Sequence, residues 1–387
     1  MRGFFYILSD LNSMHKKCIL YVMNEKFTPY LNKIDDSLSF YMPALKHKIS
    51  NQENSEWGKR TFGSIYKAIK PEHYSTLVKP TSELITLGGK RWRPLFLVLT
   101  SKAVSDTPEA TKTAYSLTPL VEFIHTASLI HDDIEDASQE RRGKPSAYIT
   151  YGIDTAINAA SWLYFLSETT IDALDVSDSL KVNLYKMSLL ELRKLHLGQA
   201  MDIKWHREKS FIPQREEYLV MVKCKTGTLA SLSAKTGVLS AKGNEKLSEE
   251  AGLIAQDIGA AFQIIDDVIN LTSGNPGKKR GDDIVEGKKS LPVILFSEKA
   301  SKKELSALEK CFTKASKEGI ESKSVEEAIQ LLNSKNSIDE ACGLGLNLIK
   351  QSLYAYEKLL GSSQYVELIK ELFISMIPQA LRKGGIL

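Results

Sequence analysis

The sequence predicts an all-α fold, a single-domain helical bundle, on three observations. Apolar residues recur at three- and four-residue spacing through 94–104, 115–135, 155–173, 180–200, 215–240, 248–271, 291–300 and 338–360. Alternating β-branched runs are scarce, and no hairpin dipeptide lies between apolar runs. Polar, Gly- or Pro-marked breaks near 50–60, 174–179, 206–214, 241–247 and 273–290 are too short to be interdomain linkers. With 387 residues, 43% apolar and 25% charged, the chain can bury a sizeable core and is far from a disordered composition. A formal net charge of +4 gives no case for a nucleic-acid partner. Cys18, Cys224, Cys311 and Cys342 lie far apart without a C-x-x-C pair, which argues against zinc and a disulfide framework and for free thiols in a reducing compartment. No stretch approaches the roughly 18 apolar residues of a membrane span. The run Phe4–Leu8, broken by Asp10, is too short for a secretory segment. A cytoplasmic protein is expected; Arg2, Lys16, Lys17 and a single acid in residues 1–24 leave organellar targeting open, and Met23 is an alternative start. Residues 1–40 are expected as an N-terminal extension, helical or partly disordered, before one domain over 41–387.

Along the chain, LGGKRWRP (87–94) places Lys90, Arg91 and Arg93 just ahead of Pro94, a good first-turn residue, so the glycine pair and a helix N-terminus offer room and potential for an anion. The apolar segment 115–135 ends in LIHDDIEDASQERRG. Asp132 and Asp136, four apart, share a face with His125, seven back from Asp132. Arg141–Arg142 follow. KCKTGTLASL carries Lys225–Thr226, and FQIIDDVINLTSG puts Gln263, Asp266 and Asn270 on one helix face. Lys278, Lys279, Arg280, Lys288 and Lys289 surround Gly281–Asp283, whereas Lys302, Lys303, Lys310 and Lys314 read as a solvated helix face. One acidic helix end is ordinarily a solvated cap. Two, each in an apolar helix, carry like charges that cost a few tenths of a kcal/mol per pair unless a cation is shared. Oxygen ligands without clustered Cys or His point to Mg²⁺ or Mn²⁺, whose shell is completed by water and substrate phosphates.

The ordered set GGKxxR, H…DDxxD…RR, KT, QxxDD and K…GxD…GK resembles the trans-isoprenyl diphosphate synthases over residues 60–300. LIHDDIEDASQERRG is similar to their first aspartate-rich motif, FQIIDDVIN to their second, and GDDIVEGK (281–288) to their G-x-D-x-x-x-G-K element. YGIDTAINAASWLYFL and LHLGQAMDIKW resemble the eukaryotic-type geranylgeranyl diphosphate synthases. The resemblance implies the isoprenoid synthase type I fold, with both motifs facing each other at the mouth of a deep central cavity. It implies that Asp132 and Asp136 bind two Mg²⁺ and Asp266 a third. Arg141, Lys225, Thr226, Gln263, Lys278 and Lys288 would hold an allylic diphosphate, and Lys90, Arg93, His125 and Arg142 isopentenyl diphosphate. Asp133, Asp267 and Asp283 would orient waters. Asp132, Asp136, Asp266 and Lys225 are the catalytic candidates. Two departures stand out: Asn270 replaces the commoner Asp, and the loop before Gly281 leaves open which of Lys278, Lys279 and Arg280 meets diphosphate.

The implied activity is a Mg²⁺-dependent prenyltransferase that condenses the two diphosphates and makes geranylgeranyl diphosphate. The alternatives are a longer-chain polyprenyl synthase and a non-catalytic regulatory subunit. Terpene cyclases and head-to-head condensing enzymes do not require the Lys90, Arg93 and His125 set. Small Ala127 and Ser128, one turn before Asp132, would meet the growing chain first, with Phe123, Ile124, Trp162 or Phe165 as floor. A homodimer is implied by the resemblance alone.

Overall fold

The computed structural model describes residues 25–46, 50–208, 211–274 and 279–382. Pro29 opens α1 (Thr28–Tyr41), whose Ile34, Leu38 and Tyr41 face one side and join Phe27 and Met42 in the main core. The extension expected over residues 1–40 therefore divides. Residues 1–24 lie outside the described residues, and α1 packs as part of the bundle.

Next come α2 (Asn51–Phe62), α3 (Pro71–Thr86), α4 (Trp92–Val104), α5 (Pro108–Ser116) and α6 (Thr118–Glu135). The stretch 50–60, expected as a break, is helical. Ser50 and Glu53 form a capping box that starts α2, and Trp57 anchors it by donating its indole N–H to Tyr41 O at 2.9 Å. With so few apolar residues, α2 shows no periodic stripe. Likewise α3 carries an internal Pro80 that reads as a breaker, and the helix tolerates it.

Beyond α6 a two-residue hairpin pairs β1 (Glu140–Arg141) with β2 (Lys144–Pro145). Its loop residues Arg142 and Gly143 have φ of 54° and 74°, the double left-handed geometry of a turn that matches strand twist. Then follow α7 (Ala147–Tyr151), α8 (Ile153–Asp172), α9 (Asp178–Arg207) and α10 (Arg215–Val222). A single π turn, Lys223–Gly227, leads into α11 (Thr228–Ser240), followed by α12 (Glu245–Thr272), α13 (Asp282–Glu286), α14 (Leu291–Lys299), α15 (Lys302–Glu318), α16 (Lys323–Ser334), α17 (Ser337–Leu360) and α18 (Gln364–Met376).

Every residue of α11 is buried, so this is the axis of the bundle. Its small Ala, Ser, Thr and Gly residues let α4, α9 and α12 close around it, and its one charge, Lys235, is paired with Glu191 at 3.1 Å and Glu249 at 2.7 Å. Ala255, Ile258 and Ala261 of α12 face the core built on α4, α6 and α11. Ala260, Ile264, Val268 and Leu271 face a second core with α10, α14 and α15. Both acidic segments thus sit at the C-terminal ends of packed helices, α6 and α12. Lys302, Lys303, Lys310 and Lys314 form the exposed face of α15, as expected. Cys224, Cys311 and Cys342 are free thiols. Among the described residues no helix is long and apolar enough to cross a membrane.

Because Leu38 is fully buried in the main core, Leu38→Ala should cost about 2–4 kcal/mol of stability. Urea unfolding measures it, and an unchanged midpoint would show that α1 is not part of the cooperative unit.

Candidate active site

The C-terminal turn of α6 carries Asp132, Asp133, Glu135 and Asp136, where exposed carbonyls already create negative potential. Cations from three other elements meet them. Lys225 Nζ, on the π turn, lies 3.1 Å from Asp132 Oδ1 and 2.6 Å from Asp202 Oδ2 of α9. Arg141 of β1 donates from Nε to Asp133 Oδ1 at 2.8 Å and lies 3.4 Å from Asp132 Oδ2. Lys288, after α13, reaches Asp136 Oδ2 at 3.4 Å, Asp283 at 3.8 Å and Glu286 at 2.6 Å. Burial alone would raise the Asp132 carboxyl, but Lys225, Lys288 and Arg141 hold it well below the usual carboxylate range. Asp136 goes the other way: burial and the Asp132 charge raise it, and Lys288 offsets only part. Burial would lower Lys225, yet Asp132 and Asp202 raise it above an ordinary lysine.

Close packing fixes the π turn. A Cβ on Gly198 of α9 would lie 2.3 Å from Lys225 N, and one on Gly259 of α12 would lie 2.7 Å from Gly227 Cα. At its exit Thr228 hydrogen-bonds the buried Glu191 carboxylate, which Lys194 and Lys235 also hold at 3.0 and 3.1 Å. Thr226 Oγ1 donates to Gln263 Oε1 at 2.7 Å, and Gln263 Nε2 donates to Asp267 Oδ1 at 3.0 Å. Tyr218 Oη donates to Asp267 Oδ2 at 2.7 Å, and burial pushes the Asp267 carboxyl up to about 6. Asp267 is thus tied inward while Asp266, beside it, is exposed at the mouth.

Two adjoining cavities open here. The first, of 240 Å³, is lined by the polar Asp132, Lys225, Thr226, Gln263 and Lys288 and also by Leu195, Leu229 and Tyr164. The second, of 390 Å³, is lined by Lys90, Arg91 and Arg142 among others. Arg93, His125, Leu129, Arg141 and Asp266 border both. Burial pulls Arg93 down to about 10. Its Nη1 donates to His125 Nε2 at 3.3 Å, and burial with the surrounding arginines keeps that imidazole neutral, while Arg93 Nε is buried without a partner. Arg142 bonds Leu84 O at 2.9 Å and lies against Gly89.

The expected residues therefore converge, with three qualifications. Lys278 lies outside the described residues, while Lys279 and Arg280 are committed to surface pairs with Glu321 and Glu326. Asn270 is turned inward: fully buried, its Oδ1 accepts from Asp283 N at 3.3 Å and its backbone O from Gly281 N at 2.9 Å. Ala127 is core rather than cavity wall and Phe165 points to solvent, so of the chain-length residues only Ser128 lines the first cavity. Sequence reading missed Gln199, which donates to Asp132 at 3.1 Å and Glu135 at 2.6 Å, and Asp202, the second partner of Lys225. Their three-residue spacing in LHLGQAMD placed both on one helix face.

Among the described residues no three His, Cys, Asp or Glu side chains converge as a ready-made metal cage. The donors present are carboxylate oxygens one turn apart, and Asp136 Oδ2 is buried without a hydrogen bond. Such a set fits a hard divalent ion that takes one or two carboxylates and keeps water and phosphate oxygens.

Fold and site define a helical bundle with paired acidic helix ends ringed by lysines and arginines. The polyprenyl synthetase family profile matches residues 74–332, and the chain belongs to that family. The short chain isoprenyl diphosphate synthase of Methanocaldococcus jannaschii is 35% identical over 272 residues, 68% of this chain and 78% of that protein. The geranylgeranyl pyrophosphate synthase paxG of Penicillium paxilli is 39% identical over 177 residues, 45% of each chain, so the match spans about half of that relative's length. The crystal structure of geranylgeranyl pyrophosphate synthetase from Pyrococcus horikoshii OT3 superposes with a TM-score of 0.75 at 27% identity, covering 92% of this chain and all of that one. The polyprenyl synthase of Caulobacter crescentus CB15, solved with calcium and isoprenyl diphosphate, shares the fold at a TM-score of 0.67 and 24% identity over 89% of this chain and 98% of that one.

Gly198→Ala would drive a methyl group into backbone on the π turn, with little room to yield. It should cost about 1–3 kcal/mol and displace Lys225. A melting temperature and fold-sensitive spectrum equal to wild type would show that the turn is not held by this contact.

Proposed function

We propose that this chain is a prenyltransferase that condenses isopentenyl diphosphate with an allylic diphosphate and makes geranylgeranyl diphosphate. The observation that carries the reading is the pair of adjoining cavities: one has carboxylates and lysines at its mouth, the other arginines, and they share the Arg93–His125 wall. Family membership and the names of the relatives support it.

Arg141, Lys225, Thr226, Gln263 and Lys288 hold the allylic diphosphate, and Lys90, Arg93, His125 and Arg142 hold isopentenyl diphosphate. Divalent cations bound through Asp132, Asp136 and Asp266, three Mg²⁺ in this reading, supply charge neutralisation for the departing diphosphate. Lys225 and Arg141 stand ready as fixed positive charges before the allylic C–O bond breaks with its electron pair on oxygen. The π electrons of isopentenyl diphosphate then form the new C–C bond to the allylic carbon. A proton leaves the neighbouring carbon for the released diphosphate, and the alkene is restored. Leu129, Leu195 and Leu229 keep water from the cation. Sharing one wall, the cavities hold the reacting carbons together.

The assembly proposed is a homodimer. Ile153, Ile157 and Phe165 are exposed along α8, and Val182, Leu189, Leu190 and Leu197 along α9, an apolar face that the linear sequence did not reveal.

A chromatogram of products formed from labelled isopentenyl diphosphate by the purified chain with Mg²⁺ tests the whole reading. A twenty-carbon product supports it, and diphosphate-binding without turnover would favour the regulatory subunit. Asp132→Ala and Asp136→Ala should each lower turnover roughly a thousandfold with the fold intact; a folded variant of near-normal rate removes the metal assignment. Ser128→Phe should shorten the product by at least one five-carbon unit while turnover continues, and an unchanged product would put the cavity floor elsewhere.

A further inference from the structure

Between Lys90 and Arg93, which the proposed function gives to isopentenyl diphosphate, stands an arginine with a different task. Arg91 is the N-cap of α4 and has φ 47° and ψ 24°, a left-handed conformation that non-glycine residues rarely adopt. Its side chain over-determines that conformation. Nη1 pairs with Glu122 Oε1 of α6 at 2.5 Å, Nη2 donates to Ile85 O of α3 at 2.7 Å, and Nε lies 3.5 Å from Asp35 Oδ1 of α1. All three guanidinium nitrogens are engaged by protein on three different helices, so the group is anchored although it borders the second cavity.

Glu122 is the other half of the device. Its side chain is 3% exposed, and its charge also acts on Arg93 and Arg142. It sits one turn before His125 on α6. A buried carboxylate thus counters a cluster of arginines that would otherwise repel one another at the wall of the second cavity.

We propose that Arg91 and Glu122, with Asp35 at the rim, are positioning residues for isopentenyl diphosphate. They lock residues 88–93 in the one loop conformation that presents Lys90 and Arg93 to the second cavity, and they set its affinity by holding that loop. The proposal rests on the assignment of that cavity made above. It also gives α1 a part in the chemistry, through Asp35.

The test combines calorimetric titration with isopentenyl diphosphate, without divalent cation, and steady-state kinetics on the full chain. Glu122→Gln keeps shape and loses charge; Arg91→Lys keeps charge but cannot fork to three acceptors. Each should weaken binding and raise KM for isopentenyl diphosphate about tenfold, with the allylic KM within about twofold and kcat at saturation within about threefold. Asp35→Asn, on an exposed side chain, should give about a twofold change, and with Arg91→Lys it keeps the test readable if Glu122→Gln fails to fold. Equal rises for both substrates, or a lower melting temperature with unchanged affinity for isopentenyl diphosphate, would overturn the proposal and leave a structural pair. Lys90→Ala is the control. If it too leaves that affinity unchanged, the cavity assignment itself fails; if it weakens binding while Arg91→Lys and Glu122→Gln do not, only the positioning role fails.

Discussion

The ion pair between Lys225 and Asp132 is the contact on which the mouth of the bundle depends. The α6 terminus stacks acidic side chains on the negative end of a helix, an arrangement that repels itself unless a fixed positive charge enters from outside. Lys225 does so, and Asp202 on its far side keeps it charged and aimed. Its place is set by backbone, not by side-chain reach. The π turn lifts it from the bundle axis, and the turn persists because α9 and α12 approach it through glycines while Glu191 holds Thr228 below. Core packing of α9, α11 and α12 is therefore the source of the electrostatics at the surface.

Much of this was legible beforehand. The fold class follows from helical periodicity, which reports burial directly. The acidic clusters follow from four-residue spacing, which is itself geometry. What was hidden depends on contacts across space. Nothing in 215–240 announces the π turn, because one extra residue in a turn leaves the apolar pattern on either side intact. Arg91 and Glu122 are 31 residues apart and look like one more base in a basic loop and one acid in an apolar helix. Helix α1 is a different case: Ile34, Leu38 and Tyr41 already stood at helical spacing, and the signal was present but short. The polar α2 could be read only from its cap.

The two acidic ends are not equivalent. At α6 every carboxylate has a cation or an amide nearby. At α12 the chain places a neutral amide, Asn270, where a third acid would be buried, and uses it to tie the return loop through Asp283 N. A carboxylate at that depth would need its own counter-charge, and Lys288 is already shared among Asp136, Asp283 and Glu286. The substitution of amide for acid is in this sense a balance of charge in a crowded place.

The Arg142–Gly143 hairpin has a consequence for how the chain can change over generations. Arg141 and Arg142 are neighbours with different partners, the one bonded to Asp133 and bordering both cavities, the other bonded to Leu84 O and bordering the second alone. Their separation comes from the tight loop alone, since β1 and β2 are two residues each. Point replacements around them leave that division standing. Loss or gain of a single residue between Glu140 and Pro145 would shift the register of the ribbon and part each arginine from its partner. Outside the two arginines and Gly143, this short ribbon should therefore drift in composition more freely than in length.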